Sequence, residues 1–319
     1  MWFRTIFRRN AQPQQGAEPV RTAELHLPPN LFTQLDRLRI RGSRRLRGNA
    51  AGQRPSSRRR PAADFREHRK YVAGDDIRFV DWKASARSEQ VFLRQGELPQ
   101  EANIHILLDG SASMGWGEPP KSQAAVNLAA ALGFLALNGD DRLHVMPLVR
   151  APEPESGRER IIFKGKGQYP ALINALMRIP FQGQSDILET VRRLTAEHRG
   201  GIAILLSDLL DMPDLDAALA LLPRPAWETV VLHMLHPLEL QPALAGEIQL
   251  QDTESGAEAS YDVGSRTIED YQRHLESWRS GLEMACLARG AFYTLITSGL
   301  SLETETIPHL QRANVLEPA

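Results

Sequence analysis

Asp109, Ser111 and Ser113 stand at alternate positions in the run Asp109-Gly110-Ser111-Ala112-Ser113-Met114. A carboxylate and two hydroxyls are hard oxygen donors, a set that suits Mg²⁺ or Mn²⁺ rather than a thiophilic ion. In an extended loop alternate side chains share a side, so the three would point together. Two later stretches carry donors of the same kind. Gly183-Gln184-Ser185-Asp186 opens a helical pattern and supplies Ser185. The apolar run Ile202-Ala203-Ile204-Leu205-Leu206 leads into Ser207-Asp208 and ends on a second aspartate. With mostly neutral ligands, a bound ion keeps net positive charge and an open position that an Asp or Glu of another protein can fill. That is binding chemistry, and it needs no nucleophile, acid or base.

Such donors meet only if the right elements carry them. Ile104 to Leu108 is a short apolar run ahead of the first aspartate, which reads as a strand buried in a parallel sheet. From residue 103 onward strands and helices alternate. Strands are expected near 103–109, 142–149, 160–163, 202–207, 229–235 and 291–296. Helices are expected near 119–138, 168–179, 186–198, 213–221, 266–289 and 301–312. The alternation predicts an α/β fold with a doubly wound, mostly parallel sheet. In such sheets ligands bind beyond the carboxyl ends of the strands, where Asp109 and Asp208 both fall. Between Pro237 and Gly264 the pattern breaks, and 247–251 with 259–263 reads as a two-stranded excursion.

The charge is uneven. Residues 1–100 hold 21 Lys and Arg against 10 Asp and Glu, a net of +11, and the remainder nets −12. A basic amino-terminal extension thus precedes an acidic domain. Residues 1–63 form the basic segment, with an amphipathic helix expected over Leu31, Leu35, Leu38 and Ile40 and a solvated Arg-rich loop over 41–61. Nucleic acid is not expected there, because the loop has no aromatic residue to stack a base. Trp2, Phe3, Ile6 and Phe7 among arginines could touch an anionic membrane surface, though a frayed basic tail is the plainer reading. Residues 64–101 interleave charges with Phe65, Tyr71, Ile77, Phe79, Val80 and Trp82 and are expected to dock on the domain at 102–313. Hydrophobic residues make up 42% of the chain and support a packed core; the single cysteine, Cys286, precludes an internal disulfide. The expected location is cytoplasmic, with the tail as a possible peripheral contact at the inner membrane.

Residues 102–313 resemble a von Willebrand factor A domain, and Asp109-Gly110-Ser111-Ala112-Ser113 matches the metal-ion-dependent adhesion site of that family. The resemblance implies Asp109, Ser111 and Ser113 as metal ligands, with Ser185 in the place of the family's second-loop threonine and Asp208 in the place of its later aspartate. Gly74-Asp75-Asp76, Asp81-Trp82 and Ala84-Ser85-Ala86-Arg87 resemble the hallmark stretch of the domain-of-unknown-function 58 family. That resemblance implies a MoxR-type AAA+ ATPase as partner and a role as adaptor or co-chaperone presenting a client protein.

Three rival readings stand beside it. A structural scaffold with a vestigial site would carry the same residues. Ser111-Ala112-Ser113-Met114-Gly115 loosely resembles a nucleophile elbow, and the order Ser113, Asp208, His233 or His236 is that of a hydrolase triad. Yet Ser111 stands where the strained turn needs glycine, so no enzymatic activity is expected. Gly165-Lys166-Gly167 lacks the remainder of a phosphate loop and reads as a turn. Asp75 and Asp76 read as a turn rather than a second ion site, and Cys286 as a core residue.

Overall fold

In strand β1, Asn103–Asp109, the alternating sets Ile104, Ile106, Leu108 and His105, Leu107, Asp109 are all buried. A strand buried on both faces has to lie inside a sheet covered on both sides. The computed structural model describes residues 5–7, 25–42, 65–72, 77, 80–87, 90–96, 101–148, 161–210, 212–252 and 258–319. In it β1 is central to a six-stranded sheet with β2 (Arg142–Leu148), β3 (Ile161–Lys164), β4 (Gly201–Ser207), β5 (Trp227–Leu235) and β6 (Phe292–Thr297). The order is β6-β5-β4-β1-β2-β3. Every neighbouring pair is parallel except β2 with β3. The chain runs outward from β1 to β3 and then returns to β4 on the other side of β1. The sheet therefore has a topological switch point between β1 and β4, where a crevice opens beyond the strand ends.

Helices α1 (Lys121–Asn138), α2 (Tyr169–Met177), α3 (Ile187–Glu197), α4 (Leu215–Ala220), α5 (Ser265–Ala288) and α6 (Ile307–Arg312) complete the αβ alternation. Leu107, Met146, Leu205 and Val231 of the sheet pack with Ile187, Val191 and Leu194 of α3, Leu219 of α4 and Cys286 of α5. Leu143 alternates with His144 and so faces the other way, towards α1 and α2. α1 is rich in Ala and Leu, strong helix formers, and it is buried on nearly all sides. Gly133 lets the layers approach closely: a Cβ there would lie 2.4 Å from Leu172 Cδ2 and 3.1 Å from Leu143 Cδ2.

Two expectations for the amino-terminal region need correction. The helix expected through Ile40 ends at Leu35, and Leu38–Ile40 is a strand antiparallel to Leu316–Pro318. The alternation of Leu38 and Ile40 about Arg39 carries a period of two, and both apolar residues are buried. The tail read as frayed contributes a strand, Thr5–Phe7, which pairs with Gly246–Asp252, itself paired with Glu258–Val263. The expected two-stranded excursion is thus a three-stranded sheet. The Arg-rich loop from residue 43 on, Trp2, Phe3 and Asp75-Asp76 lie outside the described residues.

The chain divides into two compact units, residues 1–43 with 103–319, and residues 44–102. In the second, Phe65–Lys70 pairs antiparallel with Phe92–Gly96. Asp81 caps the single helical turn Trp82–Ser85 by accepting from the amides of Lys83 and Ala84, and Ser85 accepts from the Phe92 amide at 2.9 Å. Asp81 and Ser85 of the hallmark stretch therefore hold a turn together. Among the described residues no helix is long and apolar enough to cross a membrane.

Gly133→Val should destabilise by about 1–3 kcal/mol through overpacking, read as a lower urea midpoint. Gly281→Ala in α5, where a Cβ meets nothing within 4 Å, should instead stabilise by about 0.5–1 kcal/mol.

Candidate metal centre

Asp109 closes β1 and Ser207 closes β4, so strand pairing alone sets them side by side at the switch point. A third loop is laced onto them. The Gln182 amide donates to the Gly110 carbonyl at 2.8 Å, and the Ala112 amide to the Gly183 carbonyl at 3.0 Å. Gly183 has φ +68°, a conformation that suits glycine, and the turn brings Ser185 over Asp109. Asp186 does not join the cluster. Its carboxylate accepts from the Glu189 amide and caps α3.

Asp109 is 2% exposed and surrounded by donors. Its Oδ1 accepts from the Ser111 amide at 2.9 Å and lies against the Ser185 hydroxyl; its Oδ2 accepts from Ser207 Oγ. The loop is not extended through Ser113, as the alternation suggested. Residues Ala112–Gly115 form a 3₁₀ turn, and that turn brings Ser113 Oγ to 3.0 Å from Ser111 Oγ. Ser185 Oγ is also 2.6 Å from the Leu148 carbonyl. A hydroxyl has one proton and two acceptor lone pairs, so Ser185 can serve only one of these two acceptors fully. If a cation took its lone pair and sat beside Asp109, the proton would be left for Leu148. The donor set therefore fits a hard cation: one carboxylate, three hydroxyls and a second aspartate beyond.

Asp208 is turned towards a residue the sequence reading missed. Its Oδ2 is 2.8 Å from Lys121 Nζ, and its Oδ1 accepts from the Leu210 amide. Lys121 is fully buried and also lies 2.6 Å from Glu239 Oε1. Glu239 is positioned through its other oxygen, which accepts from the His236 amide at 2.7 Å. Burial opposes the Lys121 charge, but the charges of Asp208 and Glu239 outweigh it and hold the ammonium above its ordinary pKa. A signal for this lysine was present. It is a cation on the first turn of α1, where the helix dipole disfavours positive charge and no acidic residue stands in that turn. Buried there, it needs an anion from elsewhere in the chain.

Asp208 and Glu239 thus share one ammonium, while the third buried carboxylate, Asp109, is held by hydroxyls and an amide. With all ionised the cluster is two charges negative in a buried place. Burial, then the charge of Asp208, raises the Asp109 pKa, against hydrogen bonds from Ser185, Ser207 and Ser111. Burial likewise raises Glu239, against the pull of Lys121.

The histidines weighed as triad members are occupied elsewhere. His233 Nε2 is 2.9 Å from the Asp208 carbonyl, an acceptor, so Nε2 carries the proton and Nδ1 accepts from Tyr293 Oη at 2.6 Å. Burial keeps this imidazole neutral and drives its pKa to about 3. His236 Nδ1 accepts from the Leu238 amide, and its ring lies edge-on to Trp116. Cys286 is buried, and its thiol is pushed up to about 11, chiefly by burial.

Lys121→Met leaves Asp208 and Glu239 buried without their cation and should cost about 3–5 kcal/mol in urea unfolding, with Glu239→Gln in the same chain recovering part of it. A raised carboxyl pKa in the fold makes the folded state hold protons that the unfolded chain has released. The stability contributed by Asp109 therefore falls as pH rises from the ordinary carboxylate range through its raised pKa. In chelator, the Tm of Asp109→Asn minus that of the parent should grow over that rise in pH.

Comparison with known proteins places the chain. Residues 67–280 match the family described as Protein of unknown function DUF58. An uncharacterized protein of Mycobacterium tuberculosis H37Rv, Rv1480, is 27% identical over 277 residues, covering 82% of this chain and 83% of its own. The uncharacterized protein Mb1516 of Mycobacterium bovis matches with the same figures. Among solved structures, the conserved hypothetical protein BatB from Bacteroides thetaiotaomicron aligns with TM-score 0.39 and 11% identity, over 66% of this chain and 98% of that one. An aerotolerance-related membrane protein from Bacteroides fragilis gives TM-score 0.39 and 11% identity over 67% and 98%. Likenesses at that level say nothing about function. The family match spans about two thirds of the chain and runs through both compact units, and the protein is a member of the DUF58 family.

Proposed function

We propose that this protein is a metal-dependent binding module of the von Willebrand factor A type, using Asp109, Ser111, Ser113, Ser185 and Asp208 to hold Mg²⁺ or Mn²⁺. The observation that carries the reading is the convergence at the switch point of the buried Asp109 and Asp208 with hydroxyls from two loops. Oxygen donors with little spare charge leave a divalent ion Lewis-acidic, and the ion supplies an open position for a carboxylate from outside. The chain's own residues orient that position. Ser207 fixes one Asp109 oxygen, Ser185 and the Ser111 amide the other, and Lys121 holds Asp208 from behind.

The partner proposed is a client protein offering an Asp or Glu, with the module acting as adaptor or co-chaperone for a MoxR-type AAA+ ATPase. The ATPase rests on the family resemblance of the hallmark stretch. The absence of a full phosphate-loop pattern from the sequence agrees with energy being supplied by the partner. A non-enzymatic role agrees with the hydrogen bonds of His233, which engage both of its ring nitrogens, and of His236, whose Nδ1 accepts from the Leu238 amide. A cytoplasmic location goes with this partner.

A second reading, a scaffold with a vestigial site, is favoured by Lys121, which already neutralises Asp208. Calorimetry separates the two. The binding module takes up Mg²⁺ or Mn²⁺ and is stabilised by about 2.7 kcal/mol at a hundred times Kd, and Asp109→Ala abolishes both effects. A scaffold shows neither. Capture of the ATPase or client from lysate should require Mg²⁺ and fail with EDTA or with Ser111→Ala. Capture indifferent to both would overturn the adhesion role. Ser113→Ala that removed a hydrolytic turnover would reinstate the hydrolase.

A further inference from the structure

A second cluster of ligand-type side chains lies at the opposite end of the same sheet. His105 is the third residue of β1 and His144 the third residue of β2, and the two are paired in register. Their rings stack with centroids 4.5 Å apart and planes 20° from parallel. His198, which ends α3, brings a third ring to 4.6 Å from each. One ring nitrogen from each of the three lies within 4.8 Å of the others. His105 and His144 are buried, whereas His198 is partly exposed.

The surroundings are shaped to this convergence. Gly201 opens β4 directly beside His105, and a Cβ there would sit 3.1 Å from His105 Nε2 and Cδ2. Glycine leaves the ring its place. Trp227, in register with Gly201 on β5, closes the next side at 5.4 Å from the His105 ring. His105, His144 and Leu107 lie on the face that α3 covers, so the end of α3 falls where the imidazoles converge.

We infer that His105, His144 and His198 form a three-histidine site for Zn²⁺ at the amino-terminal end of the sheet. Three imidazoles with no carboxylate among them select a borderline transition ion over Mg²⁺, Mn²⁺ or Ca²⁺. Zinc bonds to imidazole at ~2.0–2.1 Å, so tetrahedral ligands stand roughly 3.3 Å apart; to bind one ion the nitrogens draw together and the stacked His105 and His144 rings turn out of parallel, so that their in-plane lone pairs meet. Three protein ligands leave a fourth position for water, reached from the side where His198 is exposed. The site lies four residues along β1 from Asp109, about 13 Å at the usual strand rise. Nitrogen donors at one end and oxygen donors at the other keep the two ions from competing. A bound ion would tie the end of α3 to β1 and β2.

The test uses the full chain, stripped with chelator, dialysed and titrated with Co²⁺. Tetrahedral Co²⁺ on imidazoles gives intense visible bands, whereas octahedral oxygen ligation gives weak ones, so the Asp109 loop cannot imitate the signal. The expected result is intense bands saturating at one equivalent and displaced by Zn²⁺. They should be retained in Asp109→Ala and weakened at least tenfold in affinity by His198→Gln, the partly exposed ligand. Zn²⁺ should also raise the Tm of Asp109→Ala. Absence of tetrahedral bands, or bands and Tm shift unchanged in His198→Gln, would reduce the cluster to a packed stack of rings and overturn the inference.

Discussion

Three carboxyl groups buried together at one rim of the sheet are the constraint around which this molecule is arranged. Asp109, Asp208 and Glu239 come from three separate strand ends and turns and are withdrawn from water; Asp208 and Glu239 share Lys121, whereas Asp109 is held by neutral donors. An unpaired ion in a low-dielectric interior is costly, so every neighbour is turned to offset it. Ser207 and Ser185 give hydroxyls, Ser111, Leu210 and His236 give amides, and α1 starts with a lysine against its own dipole. The doubly wound order makes this possible. Only at the point where the chain reverses its direction of travel through the sheet do two neighbouring strands send their following loops apart and leave a crevice between them.

The same sheet separates two kinds of donor. Its carboxyl-terminal rim collects oxygen, from loops, where backbone amides are free to support carboxylates. Its other end collects nitrogen, from side chains fixed on β1 and β2 themselves and from the foot of α3. α3 links the ends: Asp186 caps its start beside Ser185, and His198 finishes it beside His105. A shift of this one helix would be felt at both.

How much of this was legible follows from what each signal depends on. The alternation of apolar runs gave the strand and helix positions of the main sheet to within a few residues, because β1, β4 and α1 are buried on all sides and carry few polar interruptions. The strand at Leu38–Ile40 was misread because three residues cannot distinguish a period of two from the end of a helix, and its partner at Leu316–Pro318 is almost the whole chain away. Asp109, Ser111 and Ser113 were legible as neighbours, and Ser185 and Asp208 through the strand-end rule. Lys121 carried a faint signal as a cation at a helix start, but its meeting with Asp208 and Glu239 was not legible, since it depends on how α1 and the turn after β5 pack. Nor were the histidines. His105 and His144 look like isolated polar residues in apolar strands until the register sets them opposite one another.

The pairing of Leu38–Ile40 with Leu316–Pro318 closes the main body like a clasp near both of its outer sequence limits. In sequence, residues 44–102 are therefore an insertion between the two stretches, 1–43 and 103–319, that make up the other unit. A fragment cut at residue 102 would take Ile40 from Leu316 and Arg41 from Val315, and forfeit the buried Leu31 and Leu35 as well. The span from 102 onward, which looks like a module in the sequence, is in physical terms a body missing one of its walls.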